Sequence, residues 1–189
     1  MMNSLIESLS IMPIIAAIKE LDKLDLALDS PCENIFLLSG NIFNLKELSQ
    51  RVKSKNKGFY ILVDSIDGFS KDTWGLEYIV KNIELDGIIT KKTNLVKQCK
   101  DMGIFTIQRM PIHNSEELVK SLNSIRILRP NMINICPGIM SKIIDRIYVE
   151  TKIPIIASGL IENKKDIELA LSSGAYGISS TKINTWYMY

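Results

Sequence analysis

Residues 154–181 read PIIASGLIENKKDIELALSSGAYGISST: an apolar run, Pro154-Ile155-Ile156-Ala157, a turn at Ser158-Gly159-Leu160, a polar stretch ending at Gly174, and a second short run, Tyr176-Gly177-Ile178-Ser179. Neither run alternates apolar with polar residues, so each suits a strand covered on both faces, as in a parallel sheet. Between them, Ile167, Ala170 and Leu171 share one helical face while Asp166 and Glu168 lie elsewhere, the pattern of a helix laid over a sheet. Gly174 stands where a helix C-terminal cap is expected. The stretch reads as strand, turn, helix, turn, strand.

Working outward, the same unit recurs. Apolar runs begin at Pro13, Asn34, Phe59, Asp86, Ile104 and Met132, and with those at Pro154 and Tyr176 they make eight, spaced about 18 to 28 residues apart. That spacing fits a short strand plus a covering helix. Leu95 to Met102 before Gly103, and Leu118 to Leu128 before Pro130, repeat the helix layout, and Asn114 with Glu117 has capping-box spacing. Eight such units leave an open doubly wound sheet or a closed barrel, and their regularity favours closure. The expectation is an α/β fold, a compact TIM-type (β/α)8 barrel of parallel strands with short loops, forming one domain over residues 1–189. Such barrels usually take ~250 residues and rarely fewer than ~200, so some helix must be reduced. The smallest spacing, between the fourth and fifth runs, is where the reduction is expected.

Composition narrows the function classes. The chain has 189 residues, 46% hydrophobic and 23% charged, with 23 basic against 21 acidic side chains. These are the proportions of a folded protein with a sizeable core. A net charge of +2 gives no general basic field, so any nucleic acid must meet a local patch. Cys32, Cys99 and Cys136 are widely spaced, without a C-x-x-C, and His113 is the one histidine. Structural zinc is not expected, nor any other metal or cofactor, and buried thiols in a reducing compartment are. The opening residues Met1 to Glu7 lack a basic n-region, and no window reaches the ~20 apolar residues of a membrane span. A cytoplasmic protein without membrane contact is expected.

In a barrel, ligands meet the C-terminal strand ends. Gly159 and Leu160 after the seventh run, and Ser180 and Thr181 after the eighth, make small loops where barrels bind phosphate through backbone N–H groups. Simple tight turns would have the same composition. Asp64, Asp67, Lys71 and Arg109 are charged candidates beside them, for hydroxyls and phosphate or for a structural salt-bridge cluster. No acid–base pair is evident: Cys136 lacks a visible partner base, and His113 falls in a loop stretch. Lys91, Lys92, Lys97 and Lys100 form a basic group that could track an RNA backbone or simply solvate a helix face. Aromatic residues hardly interleave with these lysines in sequence, so stacking of RNA bases is not expected.

Across nearly the whole chain, in order, these segments resemble the glycerol uptake operon antiterminator regulatory proteins. The resemblance is carried by DSIDGFSKD at 64–72, Thr106-Ile107-Gln108-Arg109, Pro137-Gly138-Ile139-Met140, PIIASGLI at 154–161 and the terminal Ser179-Ser180-Thr181 with Trp186. It implies a barrel that responds to glycerol 3-phosphate and binds the mRNA leader of a glycerol operon to prevent premature termination, and it implies a regulator rather than an enzyme. Gly159, Leu160, Ser180 and Thr181 would take the phosphate, with Asp64, Lys71 and Arg109 nearby. Asn41, Ser158 and Lys182 stand where the family favours Asp, Gly and Asn. The alternative is a barrel isomerase or lyase acting on a small phosphorylated polyol or sugar, since this fold hosts many chemistries. With no insertion large enough for a second module, RNA is expected to meet the barrel itself or an assembly of its copies.

Overall fold

The computed structural model describes residues 4–189; Met1, Met2 and Asn3, which open the segment read for a leader, lie outside the described residues. The eight barrel strands are β1 Ile14–Ile18, β2 Asn34–Leu37, β3 Gly58–Leu62, β4 Gly87–Thr90, β5 Thr106–Pro111, β6 Met132–Cys136, β7 Ile155–Ser158 and β8 Ala175–Ser180. Each pairs in parallel with its neighbours in sequence, and β8 returns to β1 with Ile14 opposite Ile178, so the sheet closes. The fold is the (β/α)8 barrel that the recurring unit predicts.

Alternation along the strands sorts side chains into two cores. Inward-pointing Ile15, Ala17, Phe36, Tyr60, Leu62, Ile89, Ile107, Met132 and Ile156 fill the barrel. The rings of Phe36 and Tyr60 meet edge to face there, with centroids 5.5 Å apart. Outward-pointing residues such as Ile14, Ile35, Ile61, Ile88, Ile133 and Ile155 bury against the helices. A strand covered on both faces needs apolar residues at consecutive positions, which is why the runs do not alternate.

Eight helices accompany the strands: α1 Ser4–Ile11, α2 Leu24–Leu28, α3 Leu45–Ser54, α4 Thr73–Asn82, α5 Thr93–Asp101, α6 Ser115–Leu128, α7 Ser141–Thr151 and α8 Lys164–Ser172. The strand pattern does not predict α1. It packs Leu5 and Leu9 into the barrel interior, approaches β8 so closely that a Cβ on Gly177 would meet Leu9 at 2.8 Å, and accepts a hydrogen bond from the Asn34 amide on Ser8 Oγ. It therefore stoppers the end of the barrel opposite the strand C-termini. Its sequence signal is the i, i+4 pair Leu5 and Leu9.

The shortened helix is α2, with five residues, and not the one between β4 and β5. The expectation failed because Ile104 and Phe105 precede β5, which starts at Thr106 and so leaves room for the nine residues of α5. After β8 a 3-10 turn, Ile183–Tyr187, replaces a helix. It buries Trp186, whose indole N–H donates to the Ser180 carbonyl at 2.8 Å. Asn114 caps α6 by accepting from the Glu117 N–H at 2.9 Å. The return bond is displaced by one residue, because the Glu117 carboxylate takes the His113 N–H.

Candidate functional site

At the C-terminal strand ends a cavity of about 230 Å³ opens over β1, β7 and β8, lined by Ala17, Lys19, Leu38, Arg109, Ser158 to Ile161 and Ser179 to Lys182. With ~30 Å³ for a water in the liquid, it suits a compact molecule of a few heavy atoms. Gly159, Leu160, Ser180, Thr181 and Arg109 are brought together as predicted, while Asp64 and Lys71 are not among the lining residues.

Local backbone geometry builds the wall. Gly159 has φ +77° and Leu160 φ +60°, so two consecutive left-handed residues turn the chain sharply after β7. Only glycine adopts this without strain, and a Cβ at position 159 would also come 2.9 Å from Cys136 Sγ. The next loop locks on: the Gly138 N–H donates to the Gly159 carbonyl at 3.0 Å. The N–H groups of Leu160 and Thr181 lie beyond the strand ladder and donate to no backbone acceptor among the described residues, while that of Gly159 follows the ladder pairing of Ser158 with Ser179. Leu160, 62% exposed, holds its left-handed conformation at a cost of about 1 kcal/mol or more, a signature of functional turns.

Arg109 reaches the cavity from inside its strand. The sequence places it just after the fifth strand, but β5 runs on to Pro111, so Arg109 shares the inward face of Ile107 while Gln108 points outward and donates to Ser124 Oγ on α6 at 3.0 Å. Arg109 makes no ion pair among the described residues. Lys19, Ser158, Ser179 and Lys182 complete the wall; sequence reasoning did not single them out as ligands, although inward parity with Ala17 and Ile156 marks Lys19 and Ser158. The cavity wall thus carries three cations and four hydroxyls, with no carboxylate and no histidine. Lys182 is paired with Glu162 on the neighbouring loop, and a depression of about 430 Å³ continues from Thr181 and Lys182 toward Lys23 and Asn184.

The other predicted residues lie outside this cavity. Asp64, at the end of β3, accepts from Thr90 Oγ1 at 3.1 Å and from the Lys91 N–H at 2.6 Å, pinning β3 to β4. Lys71 is exposed in the loop before α4. Lys91, Lys92 and Lys97 are exposed, whereas Lys100 donates to the Leu128 carbonyl at 3.0 Å and satisfies the end of α6. A larger hollow of about 700 Å³ at the opposite end of the barrel holds Lys53, Lys55 and Lys57, but these are committed. Lys53 pairs with Asp86, Lys55 with Asp29, and Lys57 Nζ donates to the Ser30 and Cys32 carbonyls. Burial holds the Lys57 ammonium below the ordinary lysine range. Size alone therefore does not mark the site. No helix among the described residues is long and apolar enough to cross a membrane, and no cluster of potential metal ligands occurs among them.

Fold and mouth together define a (β/α)8 barrel with a cavity lined by cations and hydroxyls over its last two strands and its first. Residues 14–186 match the family described as glycerol-3-phosphate responsive antiterminator, and the chain belongs to that family. It is 32% identical over 180 residues to the uncharacterized protein YgcP of Escherichia coli, covering 92% of this chain and 91% of that protein. Among solved structures it is similar to a glycerol uptake operon antiterminator-related protein from Thermotoga maritima, at 25% identity and TM-score 0.84 over 93% of this chain and 98% of that one. The glycerol uptake operon antiterminator regulatory protein of Listeria monocytogenes shares the fold at TM-score 0.90 and 24% identity, over 93% and 95% of the two chains. Aldolase barrels are also similar, at 13% identity or less, in fold alone.

Proposed function

We propose that this chain is a cytoplasmic antitermination regulator whose barrel mouth holds glycerol 3-phosphate and whose surface binds the leader of a glycerol-operon transcript. The observation that carries the reading is the makeup of the cavity: backbone N–H groups, the hydroxyls of Ser179, Ser180 and Thr181, and the cations Lys19 and Arg109, with Lys182 held by Glu162 at the edge, which suit a phosphate dianion bearing a short polyol. The wall carries no carboxylate or histidine, so any acid–base chemistry there would fall to Lys19 or Lys182. Family membership supports the identity of the effector and the RNA target.

For the ligand to control RNA binding it must favour the RNA-competent state, since equal affinity for two states shifts neither. The test is the affinity of a leader transcript at fixed moderate salt, measured with and without saturating glycerol 3-phosphate. The expected result is tighter RNA binding with the ligand. An unchanged affinity would remove ligand control, and turnover of triose or sugar phosphates by the purified protein would favour the enzyme reading instead.

A further inference from the structure

Over β2, β3 and β4, three neighbouring strands, the rim of the barrel carries large aromatic side chains in water. Phe43, just before α3, is 92% exposed; Trp74, in the first turn of α4, is 78% exposed; Tyr78, one turn on, is 46% exposed. Phe43 and Tyr78 face a groove of about 400 Å³ that also includes Ile42 and Lys46. None of the three rings packs on another aromatic ring among the described residues. Isolated exposed hydrophobics are ordinary, but a cluster of the largest ones marks a contact surface.

The surroundings indicate what the surface contacts. Lys46 lines the groove, Lys71 precedes α4, and Lys91 with Lys92 opens α5; none of the four is in an ion pair among the described residues. The carboxylates between them are largely occupied. Asp72 accepts from the Gly75 N–H and Ser70 Oγ, Asp64 from Thr90 and Lys91, and Glu77 pairs with Lys81. Neutral donors leave Asp64 and Asp72 charged, so with Asp67 and Glu47 four carboxylates outside any ion pair among the described residues stand beside the four open lysines, and the lysines act through their positions around the rings rather than through a net positive charge. Protein–protein contacts are depleted in lysine, whereas aromatic platforms edged by lysine suit single-stranded nucleic acid, with bases on the rings and phosphates on the cations.

We propose that this rim is the RNA face, with leader bases stacked on Phe43, Trp74 and Tyr78 and the backbone held by Lys46, Lys71, Lys91 and Lys92. The proposal rests on the reading of the chain as an RNA-binding regulator. It replaces the basic group expected from sequence by a surface assembled from three units, and it reverses the expectation that stacking plays no part. Phe43, Lys46, Trp74, Lys91 and Lys92 stand at helix N-termini, the end of the barrel that also carries the strand C-termini and the mouth cavity, while the groove under Tyr78 runs down the flank to Asn82 and Ile83.

The test uses full-length protein, a leader transcript and saturating glycerol 3-phosphate. Phe43→Ala with Trp74→Ala is expected to weaken RNA binding by at least about tenfold, since stacking on one ring is worth ~1–3 kcal/mol, with glycerol 3-phosphate affinity and melting temperature unchanged. Trp74→Phe retains most of the affinity. RNA also quenches the fluorescence of exposed Trp74, while Trp186 is buried. Lys71→Gln with Lys91→Gln flattens the slope of log K against log salt by about 0.7 for each lysine. Wild-type RNA binding unaltered in the aromatic variant would overturn the face while leaving the function standing, and so would loss of a dimer in that variant with RNA affinity intact. A wild-type protein that binds no leader would remove both.

Discussion

Lys182 Nζ meets a Glu162 carboxylate oxygen at the edge of the mouth cavity, tying the loop after β8 to the loop after β7. Both side chains are more than half exposed, so the pair contributes little stability, under ~1 kcal/mol. It nonetheless occupies a cation that an incoming phosphate would use. Glu162→Gln releases Lys182 and is expected to tighten glycerol 3-phosphate by about two- to fivefold, read by calorimetry at low salt, with the gain shrinking as salt rises.

Arg109→Ala acts in the opposite sense. Arg109 has no ion-pair partner among the described residues, so its removal leaves the strand intact while taking a charge-assisted contact of about 1.5–3 kcal/mol from the ligand. The expected outcome is roughly ten- to hundredfold weaker binding with an unchanged far-UV spectrum and melting temperature. Unchanged affinity would remove Arg109 from the site.

The left-handed pair at 159 and 160 separates conformation from contact. Gly159→Ala forces a Cβ at φ +77° against Cys136 Sγ, and both stability and ligand binding should fall. Leu160→Gly relieves a non-glycine residue at φ +60° and should raise stability by about 1 kcal/mol, the strain removed less the added chain entropy. Thermal unfolding of the two variants beside the wild type checks both signs.

The three cysteines differ in reach. Burial pushes the Cys99 thiol up to about 11 and raises Cys32 as well, so both are almost entirely protonated near neutral pH and poor nucleophiles. Cys136 is half-buried beside Gly159. A thiol reagent is expected to label Cys136 first, and saturating glycerol 3-phosphate to slow that labelling. Mass spectrometry of the modified peptides tests the order; equal rates with and without ligand would place the ligand away from this wall.

Much of the architecture was legible because a strand buried on both faces leaves a run of apolar residues, and eight such runs with Asn114 and Gly174 as punctuation define the repeat. Arg109 was legible as a residue of the barrel mouth but placed outside its strand, because the polar Gln108-Arg109 pair interrupts the apolar run while the backbone pairing continues. The roles of α1 and Trp186 depend on which end of the barrel each closes, which only the three-dimensional path shows. The rim of Phe43, Trp74 and Lys91 was hidden for a similar reason: these residues come from three successive units and become neighbours only when β2, β3 and β4 align. Asp64 lies at a strand end, where a ligand contact is expected; in the fold it accepts from Thr90 and Lys91 and lies outside the cavity lining, a placement that depends on the three-dimensional path.

The central claim is that the mouth over β7, β8 and β1 holds a polyol phosphate, and a crystal structure of the protein with saturating glycerol 3-phosphate tests it most directly. The account predicts the phosphate seated on the backbone N–H groups of Leu160 and Thr181, within reach of Arg109 and the Ser180 hydroxyl. An empty mouth under those conditions, or the ligand lodged in the lysine-lined hollow at the opposite end of the barrel, would contradict it.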